Sequence, residues 1–427
     1  MPQPTSTINL KGKRLDAISE HVDIADVVSR INGHIEQSLG GNGNGSYTYV
    51  IGNNGLGKSR ILRELELSYA DSTDDRVSSI LCITNALYDR FDIGRNNQKI
   101  KYLGARNASN AVFHTAIDRA LARYILMGIA ETRRFIVRFS QAVGVEVSMK
   151  MPGVLRPDRK TLTEHVDRRK LKDVSVAQRL GSENLSIIKD LLHTTVKFKD
   201  VTKAKAAALL AFIDLNPEVV VQVKKKAHKL EYPFSELSSG EKNRILTAAK
   251  LLSHARNRCL ILLDEPETSL HVHWQRTFHS SLVQMLNGIS HFHVVVATHS
   301  PIIVSECSRL ADVEVVVIND IEDAKTDSAI PPLTSEFSKA SKIESYDGVM
   351  LDMFKIAPKN TKSIYERVTD ILMDAVDGKL DSTEAKPRLR ALLSTDGITK
   401  VNKNLILRAL NVVSDSQFKA LRDEIPG

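Results

Sequence analysis

The stretch Gly52-Asn53-Asn54-Gly55-Leu56-Gly57-Lys58-Ser59 constrains this chain more than any other eight residues do. It fits the phosphate-binding pattern G-x-x-x-x-G-K-[ST], and its flanks fit the same mechanism. Tyr47 to Ile51 (YTYVI) is an aromatic and β-branched run of the kind that forms a buried strand. Arg60 to Tyr69 sets Ile61, Leu62, Leu65 and Tyr69 at helical spacing. Strand, glycine loop and helix therefore follow in the order needed to curl successive N–H groups around one anion at a helix N-terminus. Gly52, Asn53, Asn54, Gly55, Leu56, Gly57, Lys58, Ser59 and Arg60 are the candidate phosphate contacts. In this chemistry the lysine reaches the β- and γ-phosphates and the serine holds Mg²⁺. An ordinary glycine-rich turn before a helix is the competing reading, and later residues weigh against it.

Leu237-Ser238-Ser239-Gly240-Glu241 precedes a second amphipathic run with Ile245, Leu246, Ala249 and Leu252. Serine hydroxyl, backbone N–H and helix dipole converge at such a start, which serves equally as a plain N-cap. Leu260-Ile261-Leu262-Leu263-Asp264-Glu265-Pro266 is an apolar strand ending in two carboxylates. One can complete a Mg²⁺ shell while its neighbour orients an attacking water. Ala297-Thr298-His299-Ser300 puts a histidine at the end of another apolar run, within reach of a γ-phosphate or in a structural role.

Taken in order, the phosphate loop, LSSGE, LILLDEPETSLH and ATHSP resemble the ABC-type ATPase heads of the SMC, RecF and OLD families, across residues 47 to 320. The resemblance implies an α/β fold: a P-loop ATPase head with a mostly parallel central sheet, a helical basic insertion and a C-terminal helical region. It implies ATP and Mg²⁺ as ligands. Lys58 and Ser59 would be the Walker A pair, with Ser59 and Asp264 on the metal. Glu265 would be the catalytic Walker B carboxylate and His299 the switch histidine. Ser238, Ser239, Gly240 and Glu241 would form the signature motif that meets the nucleotide of a partner subunit. Ser269 to His271 resemble the D-loop, although Val272 stands where relatives often have proline, and Gln98 is a candidate Q-loop glutamine. The long interval from Ser59 to Leu237 and the SLH triplet set the chain apart from transporter motors.

DEPETSLH and ATHSP are similar, more loosely, to stand-alone OLD-like ATPases of bacterial anti-phage systems such as Septu or PARIS. That implies a sensor or regulator, a homodimer or higher homo-oligomer through the ATP sites, and a separate effector such as a nuclease. The alternative is a chromosome-maintenance clamp of the RecF or SMC type. Past Ile318 the acidic stretch Asn319-Asp320-Ile321-Glu322-Asp323 leads into Ala324 to Pro332 without an alternating α/β pattern, and His299 is the last histidine. A metal-dependent nuclease needs several converging ligands, so the damaging activity is expected in another protein and the tail as its docking surface.

With 427 residues, 42% of them apolar and 26% charged, the chain can bury a large core. No apolar run approaches the ~18 residues of a membrane span, so no membrane contact and a cytoplasmic location are expected. Cys82, Cys259 and Cys307 sit among apolar residues and read as buried thiols. The net charge of +8 is concentrated: residues 151–230 hold 17 Lys+Arg against 9 Asp+Glu. That segment is a candidate contact for DNA or RNA, through Arg156 to Lys172 and the run Lys224-Lys225-Lys226, or a solvated helical face. The expected divisions are 1–104 (Walker A part of the head), 105–234 (helical basic lobe), 235–330 (signature, Walker B and switch histidine) and 345–427 (helical docking domain). Expected strands are Ser6–Leu10, Val77–Thr84, Val145–Met151, Glu218–Val223, Cys259–Leu263, Val294–Ala297 and Val313–Ile318. Expected helices are Asp23–Leu39, Ser109–Val143, Leu185–Val196, Val201–Leu215 and the chain from Thr361, with Asp381-Ser382 capping one of its helices; Asp89–Lys101 is expected to be a loop, and Thr334–Gly348 is polar.

Overall fold

The structure, a computed structural model, describes residues 24–41, 45–70, 76–85, 89–92, 99–104, 114–152, 176–215, 219–225, 230–307, 313–320, 333–339, 347, 349–354, 361–377 and 379–414. Ser6–Leu10, Gln98, Arg156–Lys172 and Lys226 lie outside them.

Continuous apolar runs form the centre of a seven-stranded sheet. Strand β1 (Ser46–Ile51) lies between β9 (His293–Thr298) and β10 (Val313–Asp320), with Tyr49 opposite Val296 and Val315. Beyond β9 come β8 (Cys259–Asp264), β2 (Ser79–Thr84) and the edge strand β3 (Ile100–Leu103). These pairings are all parallel. Such strands are apolar on both sides because both faces are covered. On one face Val50, Leu262, Val295 and Val316 pack against Ile31 and Ile35 of α1 (Ile24–Gly40) and Ile61, Leu62 and Leu65 of α2 (Lys58–Ala70). On the other, Tyr49, Ile51, Ile261 and Val296 join a larger core with α3 (His114–Glu131), α4 (Arg134–Val143), α7 (Ser239–His254) and α9 (Phe278–Leu286).

The far edge departs from expectation. Leu333–Lys339, which overlaps the stretch read only as polar from Thr334, is strand β11, antiparallel to β10. Its pairing partner lies beyond the Ile330-Pro331-Pro332 break, which no local pattern reveals. Asp89–Lys101 likewise ends in β3 rather than in loop.

In the segment expected to be a helical lobe, the strands expected at Val145–Met151 and Glu218–Val223 are present as β4 (Val145–Lys150) and β6 (Val220–Lys225), within a larger sheet than expected. Besides α5 (Val176–Leu191) and α6 (Lys203–Leu215) it carries a four-stranded antiparallel sheet. Its order is β5 (Thr195–Lys197), β4, β6, β7 (Glu231–Pro233). Val196, expected to end a helix, is the centre of β5; three residues are too few to show a period of two. The expected helix over Ser109–Val143 is two in the described part, α3 and α4, divided at Thr132 and Arg133.

Between β8 and β9, α8 (Val272–Arg276) precedes α9, and α10 (Pro301–Cys307) follows β9. Helices α11 (Thr361–Val376), α12 (Ser382–Leu393) and α13 (Lys400–Ser414) pack on one another around Ile364, Val368, Leu389 and Ile406. Asp381 caps α12 by accepting from Thr383 N and Glu384 N, as its sequence predicts. Among the described residues, no helix is long and apolar enough to cross a membrane.

Candidate nucleotide site

The carboxyl ends of β1, β8 and β9, three adjacent parallel strands, deliver the phosphate loop, Asp264-Glu265 and Thr298-His299 to one end of the sheet. Ligands of open α/β sheets bind at that end. The loop turns with Gly55 at φ 89° and Gly57 at φ 94°, a region side chains rarely adopt, and Ile61 N donates to Gly57 O to open α2. Asn53, Asn54, Gly55 and Arg60 are exposed, whereas Leu56 packs inward beside Ile61 and Leu62.

Lys58 is 5% exposed, yet its Nζ has work on the loop itself: it donates to Gly52 O at 2.9 Å and Asn53 O at 3.0 Å. The same nitrogen lies 3.6 Å from Glu265 Oε1. Ser59 Oγ donates to Asp264 Oδ1 at 3.1 Å, joining the start of α2 to the end of β8 through two oxygens suited to one Mg²⁺. Burial pushes the Asp264 carboxyl up to about 6, against the Ser59 hydrogen bond. A buried oxygen pair of this kind is what a hard divalent cation would stabilise, so the residues fit Mg²⁺ and a triphosphate.

Glu265 sits just past β8 at φ 49°, its N–H donating to Ala297 O at 2.9 Å. This left-handed bend turns its carboxylate to meet His299 Nδ1. Burial works to raise the Glu265 carboxyl, but the His299 bond and the Lys58 and His299 charges outweigh it and hold it below the usual value. The Glu265 hydrogen bond correspondingly raises His299, the more so with the charges of Glu267 and Glu265, against burial and Lys58. A deprotonated carboxylate beside a lysine and a histidine is equipped to accept a proton from water or to orient it.

The signature stretch forms a capping box at the start of α7. Glu241 N donates to Ser238 Oγ at 3.3 Å, and Ser238 N donates to Glu241 Oε2 at 3.2 Å. Ser238 and Ser239 are exposed and Gly240 is buried against the D-loop. Lys225 Nζ of β6 lies 2.5 Å from Glu241 Oε1 and anchors the box from the antiparallel sheet. This splits the lysine run expected to act as one patch, since Lys224 stands at the adjacent position of the same strand and lines a surface cleft.

Motif reading gave no role to Glu267 or Asn243, and it placed Lys225 in a candidate DNA or RNA contact rather than beside Glu241. Glu267 is 5% exposed and its Oε1 accepts from Thr298 Oγ1 and His299 N, both at 2.6 Å. Asn243 Nδ2 donates to Thr268 O at 3.1 Å, tying α7 to the turn after Walker B. Polar residues in exposed-looking sequence gave no sign of these tertiary bonds. His271, whose role the departure at Val272 puts in question, caps α8 by accepting from His273 N at 3.2 Å. Among the described residues, Glu265, Glu267 and His299 have ligand atoms near enough to share an ion.

No curated protein matches the chain. Residues 158–305, which include Ser238 to Glu241, Asp264, Glu265 and His299 but not Gly52 to Ser59, match the family model described as AAA domain, putative AbiEii toxin, Type IV TA system, so this part of the chain is similar to an AAA-type ATPase domain.

Proposed function

We propose that the chain binds ATP with Mg²⁺ and hydrolyses it, and that two copies close head to head around the nucleotide. The carrying observation is the meeting of Lys58, Ser59, Asp264, Glu265 and His299 at the ends of three adjacent strands. Lys58 and the loop amides would hold the phosphates, Ser59 and Asp264 the metal. Glu265 would orient water and His299 would meet the terminal phosphate. Ser238 is exposed and its side-chain bonds go to Glu241, leaving it at the surface for a partner's nucleotide.

In this reading the ATPase is the sensor or regulator of a bacterial anti-phage complex whose effector, such as a nuclease, is a separate protein. The loose likeness of DEPETSLH and ATHSP to defence ATPases supports it. A RecF- or SMC-type clamp would replace it if the closed protein held circular DNA at high salt and released it on linearisation.

Glu265→Gln should retain ATP binding and lose turnover by about 10²-fold or more, whereas Lys58→Ala should lose binding. Wild-type turnover in Glu265→Gln would remove the catalytic assignment. Mixing inactive Lys58→Ala and Ser238→Arg chains should restore activity, because one composite site then carries neither defect. Absence of recovery, with ATP-bound Glu265→Gln remaining monomeric by light scattering, would remove the dimer.

A further inference from the structure

Glu267 stands two residues after the catalytic carboxylate and is almost wholly buried. A single oxygen, Oε1, receives Thr298 Oγ1 and His299 N at 2.6 Å each and lies 3.1 Å from His299 Nδ1. Its other oxygen, Oε2, is buried with no hydrogen-bond partner among the described residues. A buried carboxyl left half satisfied costs stability, and an amide or apolar side chain would fill the space at lower cost. Packing alone therefore does not account for a carboxylate here. The groups facing His299 are Glu265, Glu267 and the positive charge of Lys58; those facing Glu267 are Glu265, Thr298 and His299.

We propose that Glu267 is a positioning residue: it clamps the end of β9 through the His299 backbone and sets a carboxylate oxygen against the ring, so that the ring can exchange Glu265 for the terminal phosphate of ATP. This rests on the ATPase reading of the same site. The clamp holds the main chain, and only the imidazole moves. The half-exposed His299 side chain has room to do so, being 45% accessible. Burial, with the neighbouring Glu265 charge, pushes Glu267 up to about 7. Above neutrality its carboxylate is thus ionised and supports imidazolium.

Two variants separate the clamp from its charge. Glu267→Gln keeps an acceptor oxygen for Thr298 and His299 N but removes the charge; Glu267→Ala removes both. The full-length chain is assayed for kcat and KM against pH, and the His299 ring is followed by NMR titration, assigned by His299→Gln. Glu267→Ala should lower kcat ~10²-fold through misplacement of the ring, with little change in KM for ATP. Glu267→Gln should recover most of that rate at low pH. Its alkaline limb and the His299 titration should both move down by about one pH unit. A His299 ring that titrates at the same pH in wild type and Glu267→Gln overturns the proposal, as does a Glu267→Ala chain with wild-type kcat. If wild type itself does not hydrolyse ATP, the ATPase reading fails, and the NMR titration still decides whether Glu267 governs His299. Should Glu267→Ala not fold, the Glu267→Gln titration decides alone.

Discussion

Replacing Gly240 with alanine sets two effects of known size against each other. In an open helix the added methyl stabilises by about 1 kcal/mol. Here a Cβ would fall 2.3 Å from the Ser269 carbonyl oxygen and 3.3 Å from the Trp274 ring. A carbon and a carbonyl oxygen rest at about 3.3 Å, so about 1 Å of backbone movement is needed. The D-loop cannot yield easily: Ser269 is held at φ 64°, Leu270 N donates to Glu267 O at 2.7 Å, and Asn243 grips Thr268. Overpacking of this sort costs about 1–3 kcal/mol. The clash therefore wins, with a net loss of about 1 kcal/mol. Gly33 is the control, since it lies exposed inside α1 with nothing within 4 Å of its Cβ position. Gly33→Ala should stabilise by about 0.5–1 kcal/mol. Urea unfolding followed by fluorescence of Trp274, the chain's single tryptophan, compares the midpoints. ATP turnover should fall in Gly240→Ala alone. A Gly240→Ala midpoint above wild type, in step with Gly33→Ala, would refute the close approach.

His293 is buried on β9, with Nδ1 bonded to Ser46 Oγ at 2.7 Å and Nε2 to Thr48 Oγ1 at 2.9 Å. Burial, helped by His34, pushes it down to about 3, so folding requires the neutral ring. Its contribution is complete above the unfolded value of about 6.5 and is lost as pH falls toward 3, up to about 5 kcal/mol in all. His293→Gln should flatten the acid side of a stability–pH curve; an unchanged slope would place the sensitivity elsewhere. The cleft beside β4 and β6, about 390 Å³ and lined by Lys197, Lys199 and Lys224 with Glu146 and Glu231, is where a phosphate backbone would lie if the basic segment binds DNA or RNA. Lys197→Glu with Lys224→Glu should then weaken binding and flatten its salt dependence, and unchanged affinity in fluorescence anisotropy returns this face to plain solvation. Asn243→Ala should leave ATP binding intact and lower the Hill coefficient of turnover; an unaltered coefficient would show that the Thr268 bond carries no coupling.

Residues whose chemistry is local were legible in the sequence. Tyr47 to Ile51 and Cys259 to Leu263 read as strands buried on both faces, because such short apolar, β-branched runs suit a covered parallel sheet, and Gly55 and Gly57 announced the turn between strand and helix. Asp381 announced its own helix start. What escaped depends on distant partners. β11 exists because β10 supplies its hydrogen bonds, and β5 because Ser148 to Lys150 lie opposite it. Val196 looked helical beside Leu192 since nothing local opposes that reading. The carboxylate of Glu267 is meaningful only where Thr298 and His299, 31 and 32 residues farther along at the end of β9, approach it.

The motifs that serve two different nucleotides in the proposed dimer are joined within one chain. Ser238 and Ser239 start α7, and the third residue of that stretch, Gly240, touches the D-loop carbonyl of Ser269. Asn243, one turn on, bonds Thr268, and the Arg244 guanidinium lies 5.4 Å from the Trp274 ring centre while donating to Ala142 O at 2.9 Å. Thr268 in turn is bonded through its N–H to Glu265 O at 3.1 Å. A short path of backbone and hydrogen-bond contacts thus runs from Ser238, which would face a partner's ATP, to Glu265, which would act on its own. Close-packed contacts of this kind pass on a displacement rather than absorb it. Lys225 adds a third party, since its ion pair with Glu241 ties the capping box to the antiparallel sheet. Any ligand that shifts β6 would therefore bear on the signature end of α7, and through Gly240 on the turn that positions Glu265. In the proposed head-to-head pair, this path would couple the two sites.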